Sequence, residues 1–418
     1  MNARADLRRE ATLARLHDRP EGGPSWLRAA REAARVRLLA MGLPQRRDEY
    51  WRFTDPGRLV VPEVAEAVPG GTEAFADVPA LRLAFVDGAF AGADGSVPAG
   101  VEVSRLAEAG EGHWAASLFG TVEAEGHAPV HRALAALNTA TARDGALLRA
   151  TARAETPVHL VQRQGAAASD AVLHHLVRVE PGASLTLIES GAGGARLNAV
   201  LEVDLADGAE FHHVRLQDGA GLAATHVFAR LGAAARLRSF TLTLGGPLTR
   251  NEAVVRLGGD DALAHLAGAA VGEGAFHHDD TVFLVHEGLR CESRQVFKKV
   301  LREEGTGVFQ GKILVRKGAQ KTDGYQLAQG LLLDETGQFL AKPELEIYAD
   351  DVACSHGATA GALDEGALFY LRSRGVPETE AANLLTLAFL RDALDEIADP
   401  RLRDELGARL EAWMAARA

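Results

Sequence analysis

The chain is poor in the residues on which several common architectures depend. Only two of its 418 residues are cysteine, Cys291 and Cys354, too few for a disulfide framework. It has no Lys/Arg-rich block, and 57 acidic residues against 45 basic ones leave a net charge of −12, which argues against a nucleic-acid footprint. No stretch approaches the roughly 20 apolar residues of a membrane span. Met1 to Leu16 alternate charge with alanine and lack the apolar centre of a signal peptide. With so few cysteines, the expected compartment is a reducing cytoplasm. Nucleotide motifs are missing as well. Gly305 to Lys312 approaches a phosphate loop, but Thr306 stands where that loop needs glycine and Ile313 where it needs Ser or Thr. No GxGxxG opens a helix, and no GxSxG nucleophile elbow occurs.

What is present is an ordinary globular composition, 47% apolar and 24% charged, ample for a large core. Length alone favours two or three domains. One of the two cysteines stands two residues from a histidine, in Ala353-Cys354-Ser355-His356-Gly357. Before it, Leu345, Ile347 and Ala349 alternate with Glu346, Tyr348 and Asp350, the period of a half-buried strand. Continued alternation predicts Cys354 and His356 on the polar face with Glu346 and Asp350. A thiolate and an imidazole side by side suit iron or zinc. A closed metal site usually takes four ligands, so this is half a site. The plain alternative is a small buried Cys beside a surface His.

Helical signals occupy both ends. Over residues 1–45, Pro24-Ser25 opens a segment in which Trp26, Ala29, Ala33, Val36 and Ala40 recur at helical spacing, and Gly42 and Pro44 close it. The aromatic cluster Tyr50-Trp51-Arg52-Phe53-Thr54 follows, and residues 60–125 are loop-like apart from a strand pattern at Leu81 to Val86. Near the C-terminus Pro377, Glu378 and Glu380 begin a helix with a stripe of Leu387, Leu390, Leu394 and Ile397. Asp399-Pro400 interrupts it, and Leu402, Leu406, Leu410 and Trp413 continue in a second helix. Such a tail can cap the open end of a repeat array or dock a partner.

The middle repeats. Gly182, Gly208, Gly232 and Gly258 fall at near-regular intervals, each followed by Ala or Gly and flanked by short strand patterns. Strands and glycine corners without intervening helices predict a stacked β-solenoid, with a β-sandwich as the alternative. Histidines come in adjacent pairs, His174-His175, His212-His213 and His277-His278. Strand neighbours point to opposite faces, so no pair chelates one metal, and polar rungs on an outer face are expected. Cys291 has no neighbouring base, and structural burial is its expected role.

The C-terminal half resembles a known family. The carrying residues are His286, Ser293-Arg294-Gln295, Lys298, Val308-Phe309-Gln310-Gly311, Gln320-Lys321-Thr322-Asp323 and Gln326. Lys342 to Val352, Cys354 to Thr359 and Phe369 to Gly375 complete the series. Together they resemble the SufB/SufD family of iron–sulfur cluster assembly proteins, with Cys-Ser-His-Gly-Ala-Thr most like its SufD branch. The resemblance implies a right-handed parallel β-helix core (126–362) between a helical, loop-rich N-terminal region (1–125) and a C-terminal helical region (363–418). It implies a non-catalytic scaffold subunit that pairs with a SufB-like subunit along the β-helix. Cys354 and His356 would then touch a transient iron–sulfur cluster, or its iron, at that junction. A SufC-like ABC ATPase would dock at the C-terminal helices, around Phe369, Tyr370, Arg372 and Arg374, and self-association in the absence of the SufB-like subunit is left open. The rival readings are a purely structural partner of a SufB-like subunit, and a β-helix polysaccharide lyase or hydrolase using Asp279, Asp280 and nearby histidines. Against the second stand the low aromatic content, 6%, and the absent export signal.

Overall fold

In the computed structural model, which describes residues 3–17, 20–68, 73–191 and 193–416, the strands form two sheets, and from Ala146–Ala150 onward successive strands alternate between them. One sheet has ten strands, from Ala353–Gly361 at one end to Ala89–Asp94 at the other; the second has nine, from Gln338–Ile347 to Val101–Arg105. Ala146–Ala150 pairs antiparallel with Val101–Arg105, but the strands from residue 146 onward pair with one another only in parallel, and the result is a parallel β-solenoid of about seven turns. Leu81–Val86 joins the same stack, parallel to Val158–Arg163.

Coil length is not constant. Ser184 pairs with Glu210 and Glu210 with Arg236, whereas Glu292 pairs with Asp323 across a visibly longer coil. Where Ser184, Glu210 and Arg236 stack, the coil length is constant, so the unevenly spaced glycines of the sequence do not all fall at one corner. At one corner the left-handed residue donates its N–H to the next coil: Gly182 (φ 70°) to Asp207 and Gly208 (φ 67°) to Ala233. In the following coils Ala234 (φ 54°) and Asp261 (φ 59°) hold that position, and Gly232 and Gly258 do not have positive φ.

Both faces of each sheet are covered along most of the solenoid, which is why many strands are buried over runs of consecutive residues rather than on alternate ones. Leu, Val and Phe side chains fill the interior, among them Leu201, Phe211, Leu237, Leu284 and Phe309. Helix Ser25–Met41 and helix Ala133–Thr141 belong to the cover of the nine-stranded sheet. The first of these turns inward Leu27, Arg31, Ala34 and Leu38, not the predicted stripe, of which Val36 is 55% exposed. Arg31 interrupts the true stripe in the sequence; its guanidinium is buried because it donates to the carbonyls of Gly22 and Ala142.

The C-terminal helices Glu378–Leu394 and Pro400–Ala415 do not cap the solenoid. They lie along the outer face of the ten-stranded sheet, with Leu390, Leu394, Ile397, Leu402, Leu406 and Leu410 buried against Val214, Phe240, Leu242, Ala269 and Val296. Among the described residues nothing covers the end formed by Gln338–Ile347 and Ala353–Gly361, each hydrogen-bonded to a neighbouring strand on one side only.

Candidate functional site at the open end

Glu346 and Cys354 lie on different strands. Gln338–Ile347 ends, residues 348–352 turn a corner, and Ala353–Gly361 begins in the other sheet. The corner is fixed by backbone donation from Tyr348 to Val315 (2.9 Å), Lys321 to Asp351 (2.6 Å) and Ala353 to Thr322 (2.8 Å). This break in phase overturns the expectation that Cys354 and His356 share a face with Glu346 and Asp350. Cys354 pairs in register with Gly324, His356 with Gln326 and Ala358 with Ala328, and Gln326 and Ala328 are wholly buried in the solenoid interior. Cys354 and His356 therefore sit on the inner face of the last rung, which has no further rung above it.

Their environments differ. His356 is exposed, and Cys354 is half-buried against Ile313, Val315, Ala319 and Ala349. A methyl group at Gly324 would lie 3.2 Å from the Cys354 thiol, so the bare backbone there is what seats the sulfur. Burial pushes the Cys354 thiol above its ordinary pKa, and Asp323 pushes the same way against a donated Gly324 N–H. At neutral pH it is a protonated thiol. Beneath His356, Gln326 donates to Gln295 (3.1 Å), and its own Oε1 is buried without a partner. Gly311 makes room for it, since a methyl group there would lie 2.1 Å from Nε2.

The donor set, one thiol and one imidazole, fits iron or a nascent cluster as half a coordination sphere. Among the described residues no group of three or more His, Cys, Asp or Glu is placed to hold a metal ion.

The other predicted residues are placed as follows. Cys291 is fully buried with its sulfur 3.2 Å from the Gly259 carbonyl, in keeping with a structural role. In the C-terminal region, helix Glu365–Ser373 buries none of its residues, and Phe369 and Tyr370 are 73% and 57% exposed. Arg374 stacks over Tyr370 at 5.1 Å, and Arg372 pairs with Glu378 at 3.2 Å.

The paired histidines are not rungs on an exposed face. His174, His175, His213 and His278 are buried. His174 bonds Glu202 (2.8 Å) and Asn138 (3.0 Å) beneath the N-terminal cover, and His278 bonds Lys299 (2.8 Å) inside the solenoid. Neighbours do part to opposite faces, but helices or further coils cover both faces. Asp279 and Asp280 part in the same way. Asp279 is covered and accepts from Thr54, Arg250 and Gln310; Asp280 pairs inside with Lys299. Neither carboxylate opens onto a groove.

Sequence reasoning missed a polar spine within the solenoid. Glu189 accepts from His213 (3.0 Å) and Arg215 (3.0 Å), Arg215 donates to Thr225 (2.9 Å), and Thr225 donates to Asn251 (2.7 Å). The signal was there: several partners stand one coil apart in the chain, such as Glu189 and Arg215 or Thr225 and Asn251.

Comparison with known proteins places this geometry in context. Residues 161–389 match the family described as SUF system FeS cluster assembly, SufBD core domain. The chain is 32% identical to the iron–sulfur cluster assembly protein SufD of Escherichia coli, over 89% of this chain and 90% of that one. It is 30% identical to an iron–sulfur cluster assembly SufBD family protein of Synechocystis, over 88% and 86%. To the SufD of Bacillus subtilis it is 27% identical over 66% of each.

Proposed function

Because the chain belongs to the SufB/SufD family of iron–sulfur cluster assembly proteins and is most like its SufD members, we propose that it is a non-catalytic scaffold subunit. Its open solenoid end docks a SufB-like subunit. The observation that carries this reading is the placement of Cys354 and His356 on the inner face of a rung bounded by two unpaired strand edges. A second solenoid end brought against those edges satisfies their free N–H and C=O groups. It also supplies the ligands that this half-site lacks. Iron, alone or within a nascent cluster, is the cargo there, held by the His356 imidazole and by the Cys354 sulfur as its thiol loses its proton. The exposed Phe369 and Tyr370, with Arg372 and Arg374, form the surface offered to a SufC-like ATPase. ATP hydrolysis in that partner would rearrange the pair of solenoids through the C-terminal helices. Two free cysteines suit a reducing cytoplasm, and no helix among the described residues is long and apolar enough to cross a membrane.

The half-burial of Cys354 and its raised pKa favour a second reading, in which this chain is a structural partner and the cluster belongs to the SufB-like subunit. Co-purification with SufB-like and SufC-like subunits under anaerobic conditions separates the two. Visible cluster absorption that is lost in an intact complex carrying His356→Ala supports ligation here. Equal absorption in both complexes would leave this subunit structural.

A further inference from the structure

The segment Glu49–Thr54 runs across the outer face of the last four rungs of the nine-stranded sheet. On Leu248–Leu257, the Arg250 guanidinium lies 4.0 Å over the Trp51 ring. On His277–His286, Phe283 meets the Tyr50 ring edge-on at 5.0 Å, and Asp279 accepts from the Thr54 hydroxyl. On Thr306–Val315, Gln310 donates to the Tyr50 carbonyl (3.1 Å). The contacts end on the terminal strand Gln338–Ile347. There Lys342 pairs with Glu49 (2.8 Å) and lies 4.1 Å over the Tyr50 ring, while the Tyr50 hydroxyl donates to Glu344. Tyr50, Trp51 and Thr54 are themselves buried, so the segment is anchored more firmly than the strand it reaches.

Beyond its ladder to Thr306–Val315, the packing of Phe339 and Leu345 and the Lys312–Glu346 pair, that strand has little to hold it. It is bonded on one side only, and none of its residues is buried. An edge with so few buried contacts belongs to the least stable part of a structure. Ordering it during docking would cost backbone entropy, a cost that prior ordering removes from the binding step. The strap contacts use outward side chains, Lys342 and Glu344, and leave the free backbone edge available.

We propose that Glu49–Thr54 is a strap that pre-forms Gln338–Ile347 as the docking edge for a partner solenoid. The proposal rests on the reading that the open end takes a SufB-like subunit. Its test uses the full chain carrying Tyr50→Phe with Lys342→Met, which removes the hydroxyl and the ammonium but keeps the ring against Phe283. Amide hydrogen exchange in residues 338–347 should accelerate about tenfold while residues 222–257 stay unchanged, and affinity for the SufB-like subunit should fall by about three- to tenfold. Unchanged exchange, or faster exchange with unchanged affinity, overturns the proposal. A separate variant, Ala358→Glu, places a charge on the other strand of the open end. If the wild type binds the partner and Ala358→Glu binds it equally well, the open end is not the docking surface. The docking half of the proposal then falls with the reading beneath it, while the exchange result still decides whether the strap holds the strand.

Discussion

At the scale of single residues, the two cysteines make opposite demands on the fold. Cys291 is sealed within a coil, and Cys354 sits half-covered at the open rung. Alkylation of the folded chain should therefore modify Cys354 and spare Cys291, as read by peptide mass mapping. Because burial holds the Cys354 thiol high, the rate should climb steeply as pH rises past about 8.5. Comparable labelling of both would contradict the packing described for Cys291. Glu202 offers a second residue-scale prediction. Wholly buried, it accepts from the backbone N–H groups of Gly120 and Glu123 and bonds His174. Glu202→Ala strands all three groups without water, and a loss of about 3–5 kcal/mol in urea unfolding is expected. Glu202→Gln should recover part of it. The sequence showed which residue types were available for these roles, including the Cys354 and His356 pair, but it did not show Gly324 beneath the sulfur or Gln326 beneath the imidazole. Those partners belong to the preceding coil and become neighbours only through the pairing of the two coils.

At the scale of elements, the C-terminal helices were legible as helices and misleading as a cap. Their leucine stripes recur at helical spacing, and those stripes are what the fold buries. The destination was not written in the stripe, because an apolar helix face packs equally well on a sheet face or over a solenoid end. Leu406 is wholly buried in that contact. Leu406→Ala should cost about 2–5 kcal/mol and should raise hydrogen exchange across 378–415 more than in strand Asp170–Val179. Uniform destabilisation of both regions would mean that the helices are not a separable layer. Helix Ser25–Met41 shows the converse. The stripe of Trp26, Ala29, Ala33, Val36 and Ala40 was visible and wrong, since a buried arginine with carbonyl partners breaks the apolar pattern on the face that packs.

For the molecule as a whole, the density of buried ionisable groups predicts acid sensitivity in two stages. Burial lowers His159, His175 and His286 to about 4 and His278 to about 3. These rings are neutral in the folded state, while their unfolded counterparts take up protons below about 6.5. The unfolded chain therefore binds more protons between about pH 6.5 and about 4, and stability falls as pH falls through that window. Glu189 and Glu252 act lower. Their neighbouring arginines and histidines outweigh burial and hold both well below the carboxylate range. Their stabilisation is complete above about pH 4.3 and declines as pH drops below it. Thermal melting from pH 8 to 4 should thus show Tm falling from about pH 6.5 downward, before carboxylates protonate. A Tm that is flat to pH 4.5 would contradict neutral buried histidines.

The sequence by itself determined the repeat, the strand character of the middle, the two helical ends and the pairing of a thiol with an imidazole two residues apart. Each is a local property, set by side-chain period, by turn chemistry and by residues adjacent in the chain. The tertiary structure alone decided which alternate face is inside and that the corner at 348–352 turns Cys354 and His356 toward the interior. It also decided that the helices cover a sheet and leave an end open. Period two separates two faces of a strand without naming either one. Only the neighbouring coil, a full turn of the solenoid away along the chain, makes one of them the interior.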